Sequence, residues 1–122
     1  MKFLCLAYEA EQALTDLTRE QWQALRQETL DYVETLRAGG HLVDTHALQS
    51  ARRAKTTRVR GGKVSVTDGP FAETKEQLGG FFLIEAQDFD EALRLAQGWP
   101  SARLGTIEVR PVEEALREEG RY

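Results

Sequence analysis

The sequence predicts a single α+β domain with two helices packed on one face of an antiparallel sheet, and three observations predict it. The chain has 122 residues, 41% of them hydrophobic and 30% charged, which suits one core and is too small for two. Short apolar runs of strand character alternate with two longer segments of helical periodicity. Their order is β-α-β, then a hairpin insertion, then β-α-β.

Phe3, Leu4, Cys5, Leu6, Ala7 and Tyr8 form an apolar run too short for a core helix, which fits a strand buried on both faces. Thr18 followed three residues on by Gln21 is a capping-box pattern, with Leu17 and Trp22 in the hydrophobic-staple positions, so a helix starts there. Trp22, Leu25, Thr29, Tyr32, Val33 and Leu36 recur at helical spacing to about Ala38, where Gly39 and Gly40 supply a left-handed stop. From His41 to Gln49 the period is two, with Leu42, Asp44, His46 and Leu48 on one side and Val43, Thr45 and Ala47 on the other.

Lys55 to Arg60 and Lys63 to Thr67 flank Gly61-Gly62, a pair able to take positive φ and so to join hairpin strands. Thr57, Val59, Val64 and Val66 then share a face expected to pack, while Arg58, Arg60, Lys63 and Ser65 meet water. Leu78 to Ala86 is apolar in both parities through Phe81, Phe82, Leu83 and Ile84, as in a central strand covered on both sides. Asp88 with Glu91 opens a second helix carrying Phe89, Ala92, Leu93, Ala96 and Trp99, stopped by Gly98 and Pro100. Leu104 to Arg110 alternates as the last strand, and Glu113 to Tyr122 is a charged tail after a domain spanning residues 1–112.

This order is the split β-α-β arrangement of ferredoxin-like folds with an inserted β-hairpin. Two helices cover one face of such a sheet, yet two of its strands are apolar on both faces. A second copy of the sheet is the simplest cover, so a two-fold homodimer through the sheet is expected.

The net charge of -4 argues against whole-surface attraction to nucleic acid or to an anionic membrane. The run Arg52, Arg53, Lys55, Arg58, Arg60 and Lys63 contains no acid, but no aromatic residue is interleaved in it, and a solvated face or an acidic protein partner fits better than a nucleic acid. The apolar start, Met1 to Tyr8, is far shorter than the roughly 20 residues of a membrane span and lacks the pattern of a secretory signal. The lone Cys5 sits mid-run and reads as a small buried hydrophobe. A cytoplasmic location is expected.

The stretch Val66-Thr67-Asp68-Gly69-Pro70-Phe71-Ala72-Glu73-Thr74-Lys75-Glu76-Gln77-Leu78-Gly79-Gly80-Phe81 resembles the signature of the DGPF branch of the YCII-related proteins. Leu36-Arg37-Ala38-Gly39-Gly40 and the ending Ile107-Glu108-Val109-Arg110-Pro111-Val112 agree with it. The resemblance implies a ferredoxin-like fold dimerising into an α+β barrel, in bacterial cytosolic proteins with a functional link to sigma factors of the extracytoplasmic-function type. In the wider family it also implies a dehydrochlorinase whose His and Asp pair does proton chemistry. Asp68 matches the motif aspartate, whereas residues 18 to 38 contain no histidine to match its partner.

The candidate catalytic residues are therefore Asp68 and His46. Asp68 precedes Gly69-Pro70, where it either forms an Asx-type turn or carries a proton at a cleft mouth. His46 shares a strand side with Asp44 and Leu48 and is the best substitute for the missing helix histidine. His41 and His46 are an odd number of residues apart and point to opposite faces of a regular strand, so no metal site is expected. No glycine loop opens a helix to hold a cofactor phosphate, and no nucleophile elbow is present. Trp22 and Trp99 have core spacing, and Glu73, Lys75 and Glu76 read as a solvated loop. Two functions follow: a dimeric small-molecule-binding or regulatory module with its ligand in the dimer cleft beside the Asp68 loop, or an acid-base enzyme of dehydrochlorinase, lyase or isomerase type acting on an aromatic or lactone-like substrate.

Overall fold

A computed structural model describes residues 1–114. Its elements are β1 (Lys2–Glu9), α1 (Glu11–Thr15), α2 (Arg19–Ala38), β2 (Leu42–Ala47), β3 (Lys55–Arg60), β4 (Lys63–Asp68), β5 (Gln77–Glu85), α3 (Phe89–Gln97) and β6 (Thr106–Pro111). Four strands form one sheet in the order β2-β5-β1-β6, all neighbours antiparallel, and β3 with β4 forms a separate two-stranded sheet. The two strands apolar in both parities, β1 and β5, are the central ones. The tail expected over residues 113–122 lies, from residue 115 on, outside the described residues.

Alternation along the central strands sends Phe3, Cys5 and Ala7 of β1 and Phe82 and Ile84 of β5 to the helix-covered face, where they are buried with Leu36, Ala92, Ala96 and Trp99. Trp99 follows the end of α3, stopped at Gly98, and stacks on Phe82 in the core as its spacing predicts. Tyr32 of α2 meets the edge of Trp99 and donates its hydroxyl to the Leu95 carbonyl (2.7 Å), tying α2 to α3. The capping box at Thr18 and Gln21 forms in both directions, with bonds of 3.1 and 2.9 Å. Burial pushes the Cys5 thiol up to about 12, so it is inert packing.

Three expectations need correction. In β2 the register shifts between Leu42 and Asp44, so Leu42 pairs with Ile84 and packs on the core instead of sharing the side of His46. A bulge of this kind reverses the parity of everything before it. The hairpin has the expected register, Thr57 opposite Val66 and Val59 opposite Val64, with Gly61 and Gly62 at φ of 55° and 75°. Among the described residues nothing packs on its apolar face: the hairpin pairs with no strand of the main sheet, and Val59, Val64 and Val66 remain exposed. The third concerns α1, a single helical turn after β1 that carries no apolar periodicity and was not expected.

Candidate functional site: a cavity between α2 and the sheet

Three rows of residues run across β1, β5 and β2 on the helix side. Phe3, Ile84 and Leu42 form the first, and Cys5, Phe82 and Thr45 the second. Both are filled. The third is Ala7, Gly80 and Ala47, where large side chains give way to two methyl groups and a hydrogen. Gly80 has no room for more, since a Cβ there would lie 2.9 Å from the His46 carbonyl oxygen of the neighbouring strand. The small row leaves an open cavity of about 380 Å³ under the stretch of α2 from Trp22 to Val33.

Leu25, Leu30 and Val33 of α2 supply an apolar wall, and Trp22 stands at the mouth with its side chain half exposed. Its core spacing led to the expectation of packing; it lines the cavity instead. Glu9, Arg26 and Thr29 also line this space, the Thr29 hydroxyl donating to the Leu25 carbonyl of its own helix (2.8 Å). Burial, and then the neighbouring Glu76 carboxylate, push the Glu9 carboxyl above its ordinary value. Glu76 is no solvated loop residue: it is partly buried and accepts a hydrogen bond from the Thr106 hydroxyl of β6 (2.8 Å).

The sequence-predicted residues lie elsewhere or only at the border. His46 borders the cavity with its backbone strand, but its ring stands against Phe81, centroids 5.8 Å apart, on the face turned away from α2. Its Nε2 is 3.2 Å from Asp44 Oδ1, a pair open to solvent. Asp68 ends β4 on the separate hairpin and pairs with Lys55 Nζ at 2.7 Å, both side chains exposed. The structure thus does not bring Asp68 and His46 together. An Asx-type turn at Asp68 is excluded on chemical grounds, because the residue two positions on is Pro70, which has no N–H to donate. His41 is also engaged, its Nδ1 lying 2.8 Å from the Glu85 carbonyl.

The loop from Pro70 to Glu76 is held by its own polar groups. The Gln77 side-chain amide donates to the carbonyls of Ala72 (3.1 Å) and Thr74 (2.9 Å), and Arg58 lies over the exposed Phe71 ring at 5.3 Å. Glu11 of α1 accepts from the Ala51 N–H (2.7 Å) and the Ser50 hydroxyl (3.1 Å), bonds that hold its carboxyl below the usual value. Missed in the sequence were Glu9, Arg26 and the Ala7-Gly80-Ala47 row. The available signal was small residues where the strands should carry large ones.

A split β-α-β topology with a four-stranded antiparallel sheet and a cavity under its first long helix defines a ferredoxin-like α+β protein. The chain belongs to the YCII-related family, whose domain it matches over residues 1–116. It is 34% identical over 114 residues to an uncharacterized protein of Rhizobium meliloti (strain 1021), covering 92% of each chain. In fold it is similar to 5-chloro-2-hydroxyhydroquinone dehydrochlorinase of Burkholderia phenoliruptrix AC1100, solved in complex with 2,5-dihydroxybenzoquinone. The TM-score is 0.58 at 18% identity, with 94% of this chain and 96% of that one covered. Among the described residues no helix is long and apolar enough to cross a membrane.

Proposed function

We propose that this protein binds a small planar molecule, a ring bearing hydroxyl or acidic groups, in the cavity between α2 and the sheet. The observation that carries this is the Ala7-Gly80-Ala47 row, which opens about 380 Å³ beside an apolar wall, with the charged residues Glu9 and Arg26 also in the lining. That volume and that lining, mostly apolar with a few convergent polar groups, suit a single substituted ring. The quinone bound by the Burkholderia dehydrochlorinase supports the same ligand class for a protein of this fold.

The protein works in this reading as a homodimer. Leu4, Leu6, Phe81 and Leu83, on the sheet face away from the helices, are only half buried in the single chain, and a second sheet laid on them completes a two-fold barrel. His46 and its Asp44 partner belong to that face. Acid-base turnover of the bound ring is a second reading, favoured by the carboxyl of Glu9, which holds its proton to higher pH than usual and lines the cavity. In that reading His46 and Asp68 assist only if dimerisation carries them to a neighbouring site.

Thermal shift with catechol and hydroquinone tests the proposal, using Ala47→Leu to fill the floor from the edge strand. A ligand at about 100 times its Kd adds about 2.7 kcal/mol, an easily read rise in Tm. The expected result is a saturable rise in the wild type and none in Ala47→Leu, whose circular dichroism stays native. Equal shifts in both proteins, or none in either, overturn the proposal.

A further inference from the structure

Glu9 reaches its place because Gly79 has no side chain. β1 and β5 slip register between Ala7 and Tyr8, leaving Gly79 unpaired between Gly80, opposite Ala7, and Leu78, opposite Tyr8. The Glu9 carboxylate fills the gap: a Cβ on Gly79 would overlap Glu9 Oε1 and lie 2.8 Å from Glu9 Cδ. Gly79 does not have positive φ, so the missing side chain matters for the space it leaves and not for backbone freedom. The carboxylate is thereby set at the edge of the Ala7-Gly80-Ala47 floor, lining the cavity together with Arg26.

We infer that Glu9 is the group that takes the hydroxyl of the bound ring, accepting its hydrogen bond when carboxylate and its proton when the ring ionises, with Gly79 as the residue that positions it. This rests on the cavity being the ligand site. In the proton step the ring O–H bond breaks, a Glu9 O–H bond forms, and the electron pair stays on the ring oxygen as an oxyanion. Arg26, on the same cavity wall, supplies the cation that favours this oxyanion. The ligand class is a phenol or enol, since an apolar ring without a hydroxyl leaves the half-buried carboxylate unpaired.

The groups facing Glu9 explain its proton affinity. Burial dominates, and the Glu76 carboxylate, held by Thr106 of β6, adds like-charge repulsion. Glu11 of α1 is turned to Ser50 and Ala51. Arg26 of α2 and His46 of β2 also border the cavity.

The test is calorimetric titration with catechol, whose hydroxyls stay neutral across the acidic range because a phenol ionises near pH 10. Affinity should fall as pH is lowered through the Glu9 pKa, at a higher pH than the about 4.3 of an ordinary glutamate. Glu9→Gln should weaken binding about tenfold or more near pH 7, the value of a hydrogen bond to a charged group, and should remove the pH dependence. Gly79→Ala should act in the same direction, and the carboxyl carbon of Glu9, followed by NMR without ligand, should titrate closer to the ordinary value. His46→Gln should keep the pH dependence. Wild-type affinity and pH profile in Glu9→Gln, with binding still lost in Ala47→Leu, would overturn the role of Glu9 and leave the cavity standing. No catechol binding by the wild type would overturn both.

Discussion

Trp99 lies flat on Phe82, their ring centroids 4.0 Å apart and their planes 10° from parallel. Phe82 is fully buried on β5, and Trp99 enters from the turn after α3, so the stack fastens the end of α3 to the centre of the sheet. Trp99→Ala should cost about 3–5 kcal/mol, as for other large buried aromatics, measured by urea unfolding. A loss below about 1 kcal/mol would show that the stack does not hold the fold.

Asp68 should contribute little to stability, because its partner Lys55 is exposed and open ion pairs are worth about 0–1 kcal/mol. Asp68→Asn and Asp68→Ala should both unfold within about 1 kcal/mol of the wild type, with the difference shrinking as salt is added. If a turned-over substrate is found, Asp68→Asn separates roles: a drop of about 100-fold with an intact fold would make this residue a proton carrier.

Glu9 sets a pH dependence whose sign follows from its raised pKa. A group that binds its proton more tightly when folded stabilises the fold fully below its unfolded value, and that stability is lost as pH rises through the folded value. Glutamine mimics the protonated carboxyl. Glu9→Gln should therefore have a higher Tm than the wild type near neutral pH, with the gap closing on acidification. A lower Tm at neutral pH would mean that the ionised carboxylate is favoured by the fold.

The proposed dimer predicts that Leu83→Asp converts a sedimenting dimer to a monomer, since burying an unpaired carboxylate at a sheet-to-sheet contact is prohibitive. A wild type that sediments as a monomer at micromolar concentration would remove the sheet-to-sheet assembly from the proposal.

Much of the architecture was legible because it depends on patterns that repeat. The apolar parity of β1 and β5 identified the central strands, and Thr18 with Gln21 marked the start of α2 to the residue. The β2 bulge was not legible, since Val43 looks like any strand residue and only the pairing with β5 shows that the register has slipped. The site was legible least. Asp68 and His46 drew attention as reactive residue types near a motif, whereas Ala7, Gly80 and Ala47 matter through volume that is absent. Cavities are made by contrast between neighbouring strands, and a single strand does not display that contrast. Glu9 and Gly79 are seventy positions apart and meet only because β1 lies beside β5.

The three rows across the sheet divide its labour. Phe3, Ile84, Cys5 and Phe82 supply most of the packing volume under the helices, while the next row, Ala7-Gly80-Ala47, offers only two methyl groups and a hydrogen to it. Substitutions on α2 at Trp22 or Arg26, both outside the buried core, can therefore reshape the cavity without loosening that core. If the cavity is the ligand site, a lineage built on this sheet can retune which ring it prefers by altering a few side chains over a constant foundation.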